Sequence, residues 1–239
     1  MFHPRGPGFF ELARQALSST ERGYDLLARK FDYTPFRTPD VVLRKAGEVI
    51  AASGPIDAAL DICCGTGAAM EMLRPLCRRV AGIDISEGML QVARGCVPQA
   101  EGSAELEFVR GNVLDMPFAA EFDAAVCFGA HGHILPEDEA RFVAQTAKVL
   151  KPGGRFWFVT TYLPPKSSLD YWLARGFNAA MHARNRLVKP PFVMFYLTFL
   201  LPEVRELLER HGFEVKIHEG VFQGRLQPLK LVCATKREE

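Results

Sequence analysis

The sequence has no run of about 20 apolar residues, the length a membrane-spanning helix needs, so no span is expected. It also lacks a bias of charge. Its 29 Lys and Arg stand against 28 Asp and Glu, a net charge of +1. Proteins built to hold nucleic acid carry a basic excess, so nucleic acid is not an expected partner. The six cysteines (Cys63, Cys64, Cys77, Cys96, Cys127 and Cys233) include no Cys-x-x-Cys pair. Several lie in apolar runs, where cysteine packs as a small hydrophobe. Reduced thiols and a cytoplasmic location are therefore expected, rather than a disulfide framework or a metal site. Met1 to Phe10 holds no apolar core of the kind a secretory leader carries. There is no internal repeat and no low-complexity tract.

What is present is a large apolar fraction, 48%, on 239 residues, enough for one α/β domain with a small addition. Three zones follow. Residues 1–55 read as an N-terminal helical cap. One helix is predicted from Phe9 to Phe31, broken near Ser18 and Ser19; another runs from Pro39 to Ser53, with Thr38 as N-cap and Pro39 as its first residue. In the second zone, Ile56 to Thr160, short apolar runs alternate with helical stretches. The strands are 58–63, 79–83, 106–109, 122–128 and 155–160; the helices between them are 68–76, 87–94 (capped by Ser86) and 136–150. This alternation predicts a doubly wound, mostly parallel α/β sheet. The third zone breaks the rhythm. It holds a helical insert within 161–201, a helix from Pro202 to His211, and strands 213–218 and 229–235 that form an antiparallel edge hairpin. The sheet then has seven strands, and 56–239 is one domain.

The chemistry starts at Leu60-Asp61-Ile62-Cys63-Cys64-Gly65-Thr66-Gly67, a buried strand running into a glycine-rich turn and then a helix. Glycine there lets backbone approach a ligand that a Cβ would block. The ligand crevice of an open α/β sheet lies beyond the carboxyl ends of its strands. About 20 residues on, the second strand ends at Asp84, an acid placed to accept from both hydroxyls of a ribose; a helix cap is its plainer role. Dinucleotide folds carry a third glycine three residues after the second, and here that position is Met70. Asp61 puts a carboxylate beside the turn, which repels a pyrophosphate but suits an ammonium or sulfonium.

These segments resemble class I S-adenosylmethionine-dependent methyltransferases, and the ubiquinone/menaquinone-biosynthesis-like group most. LDICCGTG is similar to that family's first motif. VAGIDISEGMLQVAR, FVRGNVLDMPF, EFDAAVCFGAHGHI and VLKPGGRF follow in the family's order, over 57–160. YDLLARKFD (24–32) is similar to the group's entry helix. The resemblance implies a Rossmann-like fold, S-adenosylmethionine as cofactor (S-adenosylhomocysteine as product), and a set of roles. Asp61 would face the methionine ammonium; Cys63, Gly65, Thr66 and Gly67 would form the cradle for methionine and ribose; Asp84 would hold the ribose. Ile85 and Met89 would pack on the adenine. Asn112, where the family has Asp, and the Val113 N–H would meet its edge. Phe128 and Gly129 would line the methionine side.

The acceptor is the open part. A sulfonium is already an activated methyl donor, so the protein chiefly aligns an acceptor and excludes water. An oxygen or carbon acceptor still has a proton to lose, and His131 and His133, just past the fourth strand, are the candidate bases. Each also reads as a turn or core histidine. No Asn/Asp-Pro-Pro-Tyr/Phe run and no Pro-Cys nucleophile follows that strand, which disfavours base methylation. The N-terminal aromatics Tyr24, Phe31, Tyr33 and Phe36 and the insert's Trp172, Phe177, Phe195, Tyr196 and Phe199 suggest walls for a small apolar or aromatic acceptor. Leu169, Trp172, Leu173, Phe177, Ala180 and Met181 share one helical face, which fits a cap helix on the core, a lid, or contact with a membrane surface. Two alternatives of other classes remain at this point: a catalytically silent S-adenosylmethionine-binding module and a NAD-dependent oxidoreductase.

Overall fold

A computed structural model describes residues 3–238 of the chain. Seven strands form one sheet in the order β3-β2-β1-β4-β5-β7-β6. They are β1 (Ala58–Ile62), β2 (Arg79–Asp84), β3 (Glu105–Arg110), β4 (Phe122–Cys127), β5 (Leu150–Thr160), β6 (Phe213–His218) and β7 (Lys230–Lys236). The first five are parallel, and β7 runs antiparallel between β5 and β6. The expected hairpin is present, with β6 on the edge and β7 inserted beside β5. Strand β5 begins five residues earlier than the sequence pattern suggests. Lys151-Pro152-Gly153-Gly154, which reads as a stop, belongs to the strand, and pairing with β4 shifts register between Phe122 and Ala124.

Eight helices flank the sheet among the described residues: α1 (Phe9–Ala16), α2 (Thr20–Leu27), α3 (Asp40–Ala52), α4 (Ala68–Leu73), α5 (Glu87–Cys96), α6 (Glu139–Val149), α7 (Leu169–Leu187) and α8 (Glu203–Arg210). The break near Ser18 and Ser19 is real, because the Ser19 side chain accepts from the Arg22 N–H and starts α2. Ser86 caps α5 in the same way. Pro39 takes the N-cap place of α3 that Thr38 was expected to hold, and no side chain caps that helix.

Side chains of successive strand residues point to opposite faces, so each strand feeds two cores. On one face Ala59, Val80, Val126 and Trp157 pack with α3, α4 and α5. On the other, Leu60, Ile83, Phe156 and Phe158 pack with α6 and α8 through Phe142, Val143, Leu207 and Leu208. Each such fully buried large side chain contributes about 1.5–3 kcal/mol. Helix α7 is different: none of its residues is buried, and Leu169, Trp172 and Leu173 are exposed. Polar contacts hold it instead. The Arg184 guanidinium donates to the Ala16 and Ser18 carbonyls, both at 2.7 Å, and Asn185 pairs with the Phe192 backbone. The expectation that α7 caps the core with an apolar stripe is not met, since its apolar face has no core beneath it. No described helix is long and apolar enough to cross a membrane.

The glycine-rich turn is built for close approach. Gly67 begins α4 at φ +91°, and a Cβ there would stand 2.3 Å from Val97 Cγ2. Met70, at the position where dinucleotide folds carry a third glycine, is fully buried against the opposing Gly82, where a Cβ would meet its sulfur at 2.4 Å. Here the strand supplies the small residue and the helix the large one.

Gly67→Ala should therefore destabilise by roughly 1–3 kcal/mol through overpacking at a positive φ. Thermal unfolding should show a Tm lower by about 3–10 °C. Gly95→Ala, in a helix position with nothing within 4 Å of the new Cβ, should leave the Tm unchanged or raise it slightly. Equal effects from the two would contradict this packing argument.

Candidate active site

Strand order reverses between β1 and β4, so the loops after these strands diverge and leave a crevice at their carboxyl ends. A cavity of about 510 Å³ opens there. Its lining includes Asp61, Cys63, Gly65, Thr66, Asp84, Ile85, Met89, Asn112, Val113, Phe128, Gly129 and His133. Two sequence candidates lie outside it. Gly67 faces the start of the turn after α5, as described above. His131 is buried behind the cavity wall, its ring stacked on Phe199 at 4.3 Å and set edge-on to Phe142 and Phe158. Of the two histidines, only His133 faces the cavity.

Asp61 is the electrostatic focus. It ends a strand buried along its whole length, is 2% exposed, and its Oδ2 has no hydrogen-bond partner. Burial, helped by Cys127 and Asp84 nearby, pushes its carboxyl well above the ordinary range. An unpartnered buried carboxylate is costly unless a cation or donor meets it. Gly65, at φ +53°, has open space where a Cβ would project, so its backbone faces the cavity bare. The site therefore offers one unsatisfied anion beside exposed backbone. That fits the amino acid end of S-adenosylmethionine and does not fit a pyrophosphate.

Asp84 does two things at once. Its Oδ2 accepts from the Gly65 N–H and its Oδ1 from the Ser86 N–H, both at 2.9 Å. Burial pushes its carboxyl up, against the pull of these backbone donors. Asp84 lines the cavity, and a carboxylate has more acceptor sites than these backbone donors fill. Asn112 turns its Oδ1 onto its own loop, accepting from the Leu114 N–H at 2.9 Å. Cys63 stands at φ +58°, and its hydrogen bond with Cys127 together with burial pushes its thiol well up.

The entry helix supplies what sequence reasoning left as a motif without mechanism. Asp25 accepts from Ser86 Oγ at 2.6 Å and the Gly88 N–H at 2.8 Å; Asp32 accepts from Thr66 Oγ1 at 2.7 Å. The two acids thus clip the N-terminal segment to both cofactor loops. Between them Tyr24 reaches the cavity, and its hydroxyl lies 2.7 Å from His133 Nε2. Of the aromatic walls predicted, Tyr24, Phe31, Phe36 and Tyr196 line the cavity. The rest do not: Tyr33 stacks on His3, Phe177 packs edge-on to Tyr196, Phe195 and Phe199 are buried, and Trp172 is exposed. From the insert, only Val193, Met194 and Tyr196 contribute.

Residues 59–154 match the family described as "Methyltransferase domain". Residues 59–154 thus carry a methyltransferase domain. A probable S-adenosylmethionine-dependent methyltransferase of Mycolicibacterium smegmatis is 29% identical over 195 residues, which cover 79% of this chain and 63% of that protein. The ubiquinone biosynthesis O-methyltransferase of Thiobacillus denitrificans is 34% identical over 110 residues, 46% of this chain and 47% of that one. The chain thus spans less than two thirds of the length of either relative. Among solved structures, the DhpI–SAH complex aligns with TM-score 0.68 at 18% identity, over 95% of this chain and 99% of that one. Magnesium protoporphyrin IX methyltransferase from Synechocystis PCC 6803, with bound SAH, aligns with TM-score 0.61 at 16% identity, over 96% and 94%. At these identities the likeness is one of fold.

Asp61→Asn should separate stability from binding. The folded-state pKa of Asp61 lies above its unfolded value, so its protonated form favours folding, and stability is lost as pH rises through the folded pKa. The amide cannot ionise. The ligand-free variant should therefore gain about 1–3 kcal/mol over wild type above that pKa, while its affinity for S-adenosylmethionine falls about tenfold or more. Thermal melts against pH, paired with calorimetry, read both. A variant that is less stable and binds as well as wild type contradicts the assignment.

Proposed function

We propose that the chain is an S-adenosylmethionine-dependent methyltransferase acting on a small apolar or aromatic molecule, by O- or C-methylation. The observation that carries this reading is the unpartnered Asp61 oxygen opening onto a cavity whose far wall is apolar and aromatic. Asp61 would take the methionine ammonium, directly or through a water. Gly65 and Thr66 would hold the methionine and ribose, Asp84 the ribose hydroxyls, and Ile85 and Met89 the adenine faces. Asn112 and Val113 would meet the adenine edge; Phe128, Gly129 and Cys63 would border the methionine. When bound, the cofactor supplies a methyl group already activated by sulfonium charge.

Acceptor selection falls to residues 1–55 as cap and to the last part of the 161–201 insert. Tyr24, Phe31 and Phe36 from the first and Val193, Met194 and Tyr196 from the second line the same cavity as Asp61. Such walls suit a small-molecule pocket. The ubiquinone relative's printed substrate class is compatible with these walls. The apolar and aromatic residues that share the cavity lining with the cofactor candidates favour an enzyme over a silent binding module, and Asp61 disfavours a NAD oxidoreductase. All six cysteines are free thiols, which supports a reducing, cytoplasmic setting.

S-Adenosylhomocysteine should bind with micromolar affinity, about −8 kcal/mol, with NADH much weaker. Asp84→Ala should cost about 2–4 kcal/mol of that affinity through lost charge-assisted bonds to ligand and to the Gly65 loop. Isothermal calorimetry on both proteins is the measurement. Tight NADH binding, or an unchanged dissociation constant in the variant, would count against the reading.

A further inference from the structure

We propose that Tyr24 and His133 form a proton relay for the methyl acceptor, with the Tyr24 hydroxyl as the group that touches it. The proposal rests on the methyltransferase reading above and narrows it to acceptors that must lose a proton, a phenol or enol.

The geometry fixes every proton in the pair. His133 Nδ1 lies 2.6 Å from the Val193 carbonyl oxygen. A carbonyl has no proton to give, so Nδ1 carries the hydrogen and donates it. Burial holds the imidazole below its usual pKa and keeps it neutral, so Nε2 carries a lone pair. The 2.7 Å contact at Nε2 is then an O–H donated by Tyr24. The Tyr24 oxygen is left with its own lone pairs, and it lines the cavity.

This arrangement is held from several sides. The Val193 N–H donates to Thr20 Oγ1 at 2.8 Å, so one residue ties α2 to the histidine turn through its N–H and its carbonyl. The Phe195 N–H donates to the Gly132 carbonyl at 2.8 Å, which fixes the same insert segment against the histidine turn. Tyr24 stacks on Phe192 and meets Phe31 edge-on. Burial, with the charges of Asp84, Cys63 and Tyr196 adding to it, pushes the Tyr24 pKa up, so its hydroxyl acts as a neutral conduit and not as a phenolate. Tyr24, Asp84 and Tyr196 line the same cavity.

The step balances. The acceptor oxygen forms its bond to the methyl carbon as the carbon–sulfur bond gives its electron pair to sulfur. The acceptor's proton passes to Tyr24 Oη, and Tyr24's own proton passes to His133 Nε2. The imidazolium so formed keeps its Nδ1–H on the Val193 carbonyl and later releases the proton to solvent. His131 has no place in this path, because Phe199 covers its ring. General-base help of this kind is worth about 10²–10⁴-fold.

The test uses two acceptors of one shape. 1-Naphthol must be deprotonated; 1-naphthalenethiol is already largely thiolate at pH 8. Tyr24→Phe and His133→Gln should lower kcat for naphthol by about 10²-fold or more, while kcat for the thiol and calorimetric S-adenosylhomocysteine binding stay within about threefold of wild type (half a decade is about 0.7 kcal/mol). Loss with both acceptors would mean a structural role and overturn the relay, as would a Tyr24→Phe enzyme that methylates naphthol at the wild-type rate. A wild type that binds S-adenosylhomocysteine and methylates neither probe fails the small-acceptor reading itself, and the relay with it. Independently of turnover, ¹⁵N-histidine NMR of the S-adenosylhomocysteine complex should show His133 neutral with its proton on Nδ1. A proton on Nε2 alone, or a doubly protonated ring at pH 8, would overturn the proposal.

Discussion

A single buried carboxylate sets the terms for this site. Asp61 sits at the end of a central strand with apolar neighbours on both faces, and one of its oxygens meets nothing. Its burial comes from its place on β1, in the middle of the sheet, and it borders the cavity. Such a group persists in a folded protein when something binds it that is worth more than its desolvation. The shape around it says what that is. The glycine turn exposes backbone, Asp84 stands a strand away, and the arginine in the cavity lining, Arg37, is already paired with Asp32 and Asp40. Charge, and not the glycine pattern alone, separates a sulfonium cofactor from a dinucleotide here.

The second constraint is the attachment of the N-terminal segment. Asp25 and Asp32 accept from α5 and from the glycine turn, so α2 is tied to the two loops that form the cofactor half of the cavity. Because Tyr24 is on the same turn of chain as Asp25, the clip also sets where its hydroxyl lies. Cofactor loops and acceptor wall are thereby joined through one short helix. Ordering the loops on a bound cofactor and positioning the acceptor group are physically the same event in this arrangement.

Much of the sheet was legible because its strands are short, apolar and bounded by turns; β1 to β4 and the late hairpin lie within a residue or so of the predicted limits. The start of β5 was not, since Lys151, Pro152 and two glycines look like a loop and only pairing with β4 makes them strand. The cofactor residues were legible through spacing, and ten of the eleven other than Gly67 follow directly from ends of β1, β2 and β4 and the loop after β3, with Met89 reached one turn into α5. Gly67 was given a ligand role, but its positive φ serves packing against Val97. The histidines show the limit most sharply. His131 and His133 stand in one turn of 3-10 helix, and a two-residue step sends one ring into the core and the other to the cavity. Which goes where depends on Phe199 and Val193, more than 50 residues away. The Tyr24 contact spans 109 residues and has no local signature. Helix α7 reads as amphipathic, yet nothing in the sequence says that Leu169, Trp172 and Leu173 at its start stay exposed while Phe177 packs on Tyr196.

The central claim is that the unmet oxygen of Asp61 is the anchor for the cofactor's ammonium. A crystal structure of the protein with S-adenosylhomocysteine tests it most directly. The account predicts the ligand's amino nitrogen within hydrogen-bonding distance of Asp61, directly or through one water, with the ribose hydroxyls on Asp84. A ligand seated elsewhere, or bound in this cavity with Asp61 still unpartnered, would contradict it.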